Sequence, residues 1–254
     1  IMKTQVAVIA LIAIISLFTT QTFAQEKNVT FYKVPLVCGA APQIGCGGKA
    51  KPVLLGLEKK NNVVSEAWLN RAGTVIAIVW QDNASAELRT AIADAIFKEN
   101  KLNVEEVKGK EYKKLLKEFQ NGKDWLHGAE VDKLSKEEAG VIAERLVKRI
   151  NDKAPLTEEK KQNLKKEFAD VFKKRFSKNY GSEINSDENK VVKKFKTESE
   201  NDLLEVGKKY LNETEMAALK EAIALGLRPT ENENSKECSA SKNSSKKNYS
   251  PKKK

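Results

Sequence analysis

Residues 37–52 read VCGAAPQIGCGGKAKP, and the elements on either side are organised around this stretch. It holds Cys38 and Cys46, two of the three cysteines in the chain. Six of its sixteen residues are glycine or proline, which punctuate regular structure. The stretch is therefore predicted to be a specialised loop, and we place the candidate site of the protein there.

Strand and helix patterns alternate around this loop. An apolar run precedes it, and Pro52, which suits a first helical turn, follows it. The predicted elements are a strand at 29–37, a helix at 52–60, strands at 63–69 and 74–80 joined by a turn with Gly73, a helix after Ser85 and a strand at 102–107. This order predicts an α+β fold at 28–108, the ferredoxin-like βαββαβ arrangement, in which one antiparallel sheet carries two helices on one face.

After residue 108 the sequence shows helical patterns as far as residue 226, and the last part of the chain shows no regular pattern. Residues 109–132 are predicted to be a helical connector, and 133–226 a mostly helical region. Within that region Ser135 and Glu138 form a capping-box pattern before an apolar helix. Residues 227–254 are rich in lysine, serine and asparagine and cannot repay the entropy of ordering, so they are predicted to be a disordered basic tail.

The N-terminal residues 1–24 have the pattern of an export signal. Lys3 gives a positive start, 6–18 is an apolar run, and Thr22-Phe23-Ala24 resembles a cleavage site. We expect cleavage after Ala24 and a periplasmic or secreted mature protein. An uncleaved membrane anchor is the alternative, although the run is shorter than the ~20 residues that a spanning helix needs.

Charge and side-chain chemistry narrow the function classes. The formal net charge of +11 favours anionic surfaces as weak partners, above all for the lysine-rich tail. No nucleic-acid recognition motif accompanies the charge, so nucleic acid is not an expected partner. Carboxylates are abundant, but no nucleophile elbow or His–carboxylate pairing is visible, so we do not expect an enzyme.

Two stretches of the chain carry a resemblance to a known family. Residues 44–58, IGCGGKAKPVLLGLE, and 63–79, VVSEAWLNRAGTVIAIV, resemble the heavy-metal-associated domain of mercury-scavenging periplasmic proteins, copper chaperones and metal-pumping ATPases. The resemblance implies a ferredoxin-like fold over 28–108. It also implies a loop that binds a soft metal ion, Cu(I), Hg(II) or Zn(II), between two thiolates.

The chain departs from that family at the metal ligands. On the family pattern Cys46 occupies the position of the first cysteine, whereas Lys49 occupies the position of the second. The two-cysteine metal site of the family is therefore incomplete in this chain. Cys38, eight residues before Cys46, would supply the second sulfur, and Lys49 would tune the charge by lowering the pKa of a nearby thiol.

The residues alone leave three uses of Cys38 and Cys46 open. They bind a soft metal, they form a small structural disulfide, or they undergo reversible redox chemistry. Export would permit a disulfide, because disulfides persist in oxidising compartments. Cys238 in the tail is interpreted as an incidental thiol, with a role as a flexible ligand as the alternative.

The helical region has a second resemblance. Residues 156–160, LTEEK, and 211–215, LNETE, each open a predicted helix. They are similar to the Leu-Thr-x-x-Gln repeats of Spy/CpxP-like periplasmic proteins, which are cradle-shaped helical chaperones or sensors, although neither segment has the glutamine. The first segment is also an ordinary helix start, because threonine caps a helix and glutamate favours its first turn.

Two functions follow as hypotheses. The first is an exported heavy-metal-binding or metal-handling protein with Cys38 and Cys46 as ligands and Lys49 as the charge-tuning residue. The second is a non-catalytic envelope interaction or chaperone-like protein, in which the cysteines form a structural disulfide. In that case the helical half binds another envelope protein or unfolded chains.

Overall fold

A computed structural model describes residues 28–179 and 188–233. The predicted signal at 1–24, Cys238 and the predicted tail from 234 onward lie outside these residues. In the part that is described, no helix is both long and apolar enough to cross a membrane.

Five strands form one antiparallel sheet. They are β1 (Val29–Lys33), β2 (Val64–Asn70), β3 (Val75–Trp80), β4 (Glu105–Glu106) and β5 (Trp125–His127), in the order β4-β1-β3-β2-β5. The predicted hairpin is present as β2 and β3, with Gly73 at a φ of +72° in its turn. The sequence patterns do not predict β5, because three residues are too few to show an alternation.

Seven helices are described. They are α1 (Gly47–Glu58), α2 (Ala86–Glu99), α3 (Gly109–Gln120), α4 (Asp132–Lys153), α5 (Glu158–Asn179), α6 (Glu188–Tyr210) and α7 (Glu213–Ala224). Together with the sheet they make the chain a mixed α/β protein. The third helix, α3, was expected to be a connector, but it covers a face of the sheet.

Helices on both sides bury the central strand β3 along its whole length. One face packs with α1 and α2 through Ile76, Ile78 and Trp80. The other face packs with α3 through Val75, Ala77 and Val79. The prediction placed two helices on one face of the sheet. It therefore describes only that face, since α3 covers the other one.

Aromatic side chains dock α3 on the sheet. Phe31 of β1 is fully buried and contacts three rings, Tyr112 at 5.4 Å, Phe119 at 5.9 Å and Trp125 at 6.0 Å between centroids. Aromatic pairs at these separations add to the free energy of area burial. Phe31 is therefore the centre of the core under α3.

Helices α4 to α7 pack around a second core. Its fully buried large side chains include Phe168 and Phe172 of α5. The two cores meet at the start of α4, because Val131 and Leu134 belong to the sheet-side core. Leu227 packs against the helical core, so the predicted tail includes residues that lie against the protein.

Phe31→Ala tests the docking of α3. We expect the substitution to lower the free energy of unfolding by about 3–5 kcal/mol, because it leaves a cavity that three rings line. Urea unfolding followed by tryptophan fluorescence measures the change. Leu88→Ala on exposed α2 surface is the control and should cost within about 0.5 kcal/mol. A similar small cost for Phe31→Ala would contradict the docked helix.

Candidate functional site

The cysteine loop, residues 37–46, folds back on itself as a narrow turn. Val37 and Gly45 form an isolated antiparallel bridge. Next to this bridge the Cys38 amide donates to Ile44 O at 2.9 Å, and the Cys46 amide donates to Leu36 O at 2.7 Å. The backbone hydrogen bonds therefore fix the spacing of the two cysteines.

Two glycines let this loop lie directly on the β2–β3 turn. The Gly45 amide donates to Arg71 O at 2.7 Å. A Cβ at Gly73 would lie 2.5 Å from Gly45 Cα, and Gly73 also has a positive φ that only glycine adopts easily. The cysteine loop is thus held against the sheet hairpin by backbone contact.

The loop register keeps the two sulfurs from pairing. Cys38 lies opposite Ile44 and Cys46 opposite Leu36, so the cysteines are diagonal neighbours on the same side of the turn. Diagonal neighbours lie about 7–8 Å apart, and their Cβ atoms somewhat less, whereas a disulfide needs about 4 Å between Cβ atoms. The structure shows no bridge between the two residues, so the loop disulfide that the sequence leaves open as an alternative is not seen.

Both thiols are buried in a small apolar cluster with Ala41 and Ile44. Cys38 is 2% exposed and Cys46 8%. The Ala41 amide donates to Cys38 Sγ at 3.3 Å. Solvent therefore reaches neither sulfur freely.

Glu138 of α4 sets the electrostatics of Cys38. Burial and then the hydrogen bond and negative charge of Glu138 raise the pKa of Cys38 to about 12. Burial also raises the pKa of Glu138 itself. At neutral pH Cys38 is thus a protonated thiol, the opposite of the thiolate that the loop pattern suggested.

The sequence pattern assigned Glu138 a different role. It was interpreted as the capping partner of Ser135, but α4 already begins at Asp132, which places both residues inside the helix. Lys49, the predicted charge-tuning residue, is exposed on the first turn of α1. The charge that acts on Cys38 comes from Glu138, a contact between distant parts of the chain that spacing alone does not reveal.

Metal-ligating side chains do not cluster around the two thiols. Across the described residues, no group of three or more His, Cys, Asp or Glu could hold a metal ion. The loop itself offers two sulfurs, with the Glu138 carboxylate beside Cys38, and two sulfurs suit an ion that accepts two ligands.

Two buried arginines of α4 join the loop to the C-terminal segment 226–233. Arg145 Nη1 donates to Ala40 O of the loop at 2.6 Å and to Leu227 O at 2.9 Å. Arg149 donates to Gly226 O and Arg228 O and pairs with both carboxylate oxygens of Glu233. We call this set of contacts the arginine clamp.

The two segments that resemble Spy/CpxP repeats meet in space. Lys160, the last residue of LTEEK, donates to both carboxylate oxygens of Glu215, the last residue of LNETE, at 2.8 and 2.7 Å. Glu215 also completes a capping box with Asn212 at the start of α7. An ion pair thus joins the positions where the repeats of that family have glutamine.

Comparisons with protein-family models, with curated proteins and with solved structures each found no match.

Glu233→Gln tests the arginine clamp through its pH dependence. Arg149 lowers the pKa of Glu233 to about 2, so the ion pair stabilises the fold above about pH 4.5 and is lost as pH falls towards 2. We expect Glu233→Gln to lower the free energy of unfolding by roughly 2–3 kcal/mol at neutral pH and to flatten its decline in acid.

Chemical denaturation across this pH range measures the effect. Glu221→Gln is the matched control, because Glu221 is 62% exposed and contacts Lys153 at 3.2 Å on the surface. An exposed pair contributes less than about 1 kcal/mol. If both variants lose the same free energy, the clamp does not stabilise the C-terminal segment.

Proposed function

We propose that this chain is an exported, non-catalytic envelope protein that binds an apolar segment of another protein with its helical half. The predicted signal at 1–24 supports the location. The observation that carries the proposal is an exposed apolar groove at the end of α7.

Leu225 forms the centre of this groove. It is 58% exposed, more than any other large hydrophobic side chain in the described part of the chain. Together with Ala222 and Ala224 it lines a depression of about 430 Å³, whose other lining residues are charged, namely Arg149, Asp152, Lys153 and Glu221. A depression that combines apolar and charged side chains is consistent with a protein-binding site, in which an apolar core has a polar rim.

The pairing of Lys160 with Glu215 supports a chaperone-like role. It joins the starts of α5 and α7 at equivalent positions of two similar segments. This is consistent with the resemblance to Spy/CpxP-like proteins.

The cysteine loop also fits this function better than a metal-handling one. Its thiols are buried, and the raised pKa of Cys38 would oppose metal binding, since a ligand thiol must first lose its proton. We infer that the loop joins the sheet half to α4 without a disulfide.

We further infer that 28–108 is a ferredoxin-like unit. The strand order β4-β1-β3-β2, with α1 and α2 on one face, supports this inference. Strand β5 and helix α3 would then be additions to it, one at the sheet edge and one on the second face.

Leu225→Asp tests the groove. We expect it to weaken binding of a fluorescent, reduced and carboxymethylated α-lactalbumin about tenfold or more, because burial of one leucine contributes roughly 1.5–3 kcal/mol. Fluorescence anisotropy measures the affinity. Leu88→Asp is the matched control, since Leu88 is 45% exposed on α2, in the sheet half.

Three outcomes of this binding experiment support or reject the proposed function. Weaker binding by Leu225→Asp with native affinity in Leu88→Asp supports the groove. Equal losses in both variants, or no binding by the native protein, reject the proposed function. Thermal unfolding of each variant verifies that the fold is retained.

Soft-metal binding is the second candidate function, because the cysteine loop brings two thiols into one cluster. A two-coordinate ion such as Cu(I) or Hg(II) suits two sulfurs, and binding would displace the Cys38 proton. Zn(II) suits the pair less well, because it takes four ligands.

This second function predicts uptake of one equivalent of Cu(I) by the reduced protein, and loss of uptake in both Cys38→Ser and Cys46→Ser. Competition with a chromogenic Cu(I) chelator measures it. Cys238→Ala is the control and should leave Cu(I) uptake unchanged. No uptake by the native protein would reject the metal function and leave the groove proposal intact.

A further inference from the structure

The outward face of α3 carries a row of lysines. Lys110, Lys113, Lys114 and Lys117 are all exposed. At 100° per residue they share an arc of about 100° on one side of the helix. We call these four residues the lysine face. Segment 108–123 holds six lysines and two glutamates, so its net charge is +4.

The acidic residues of the segment do not neutralise this face. Glu111 and Glu118 lie on its flank by helical spacing. Glu111 pairs with Lys33 of β1 at 2.8 Å, and Glu118 approaches Lys114 at 3.7 Å. Lys110, Lys113 and Lys117 have no ion pair with any of the described residues.

The lysines of α5 provide a contrast within the same chain. Four of them make ion pairs with carboxylates, namely Lys160, Lys161, Lys165 and Lys173. The exposed surface of α5 therefore balances much of its charge locally. The lysine face of α3 is different because its charge stays largely uncompensated.

The opposite side of α3 is fixed on the sheet. Leu115 is buried, and Tyr112, Leu116 and Phe119 pack against the same core. The Tyr112 hydroxyl also donates to Val29 O at 3.1 Å. Amphipathic helices that insert into membranes need a free apolar side, which α3 lacks. Any contact made by this face is therefore electrostatic.

We propose that the lysine face is a docking surface for an anionic lipid bilayer. The face is a convex helix surface, so it suits a plane of headgroups. Its ammonium groups act as point charges without the bidentate geometry of arginine. The rings of α3 pack against the sheet, so they offer no stacking platform for nucleic-acid bases. Each lysine near such a surface changes partitioning by about fivefold.

A triple charge variant tests this docking. We expect Lys110→Gln, Lys113→Gln and Lys117→Gln together to lower partitioning onto phosphatidylglycerol-containing vesicles by about a hundredfold at low salt. The readout is the ratio of sedimentation with these vesicles to sedimentation with pure phosphatidylcholine vesicles. The N-terminal apolar run is common to all variants, so its contribution cancels in this ratio.

A matched triple variant separates the effect of the lysine face on vesicle binding from the effect of net charge. It replaces three exposed lysines of the helical half with glutamine, Lys166, Lys194 and Lys220, and should retain most of the native ratio. Equal losses in both triple variants would overturn the proposal, because net charge or the tail would then explain binding. A native ratio in the α3 variant would overturn it as well.

Salt and a competing polymer complete the experiment. Native binding should fall by at least tenfold as salt rises from about 0.05 to 0.5 M, because the contact is electrostatic. If polyglutamate binds the native protein and the anionic vesicles do not, the lysine face is a site for acidic polypeptides. That result would overturn lipid docking. None of these results depends on the Leu225 groove.

Discussion

The close approach of α1 to α4 is the constraint on which the rest of the structure depends. A side chain at Gly47 would overlap the carbonyl oxygen of Val131 and lie 2.7 Å from Ser135 Oγ. Because a carbonyl of the main chain cannot move aside as a side chain can, only glycine allows this contact. It fixes the first turn of α1 against the beginning of α4. The cysteine loop, which ends at that turn, is therefore closed between the β2–β3 hairpin on one side and α4 on the other.

This closure determines the chemistry of the loop. The resemblance predicts Cys46, the residue before α1, as a metal ligand. Here α4 crosses that position, and its residues reach the loop: Glu138 lies beside Cys38, and Arg145 binds Ala40 O. A carboxylate and a low-dielectric surrounding both favour the protonated thiol. Packing of α4 against the loop therefore accounts for the burial of both thiols.

Local patterns predicted much of the fold and little of the site. The hairpin was predictable because two apolar, strand-like runs flank a turn that contains Gly73, and α5 because Leu164, Phe168 and Phe172 repeat at helical spacing. Strand β5 and the burial of Phe31 under α3 were not, since both depend on pairing between distant segments. Glu138 had a local explanation as a cap, and only the contact with Cys38, a hundred residues earlier, reveals its role. The arginine clamp likewise joins residues more than seventy positions apart.

The arginine clamp explains how a single helix organises three regions. A buried guanidinium is costly to desolvate, and Arg149 offsets this cost with hydrogen bonds to main-chain carbonyls and a paired carboxylate. Arg149 also lines the groove around Leu225, while Arg145, one helical turn earlier, holds the cysteine loop. A ligand in the groove would therefore contact the same side chain that retains Glu233. Helix α4 therefore carries the side chains that contact the cysteine loop, the segment 226–233 and the depression around Leu225.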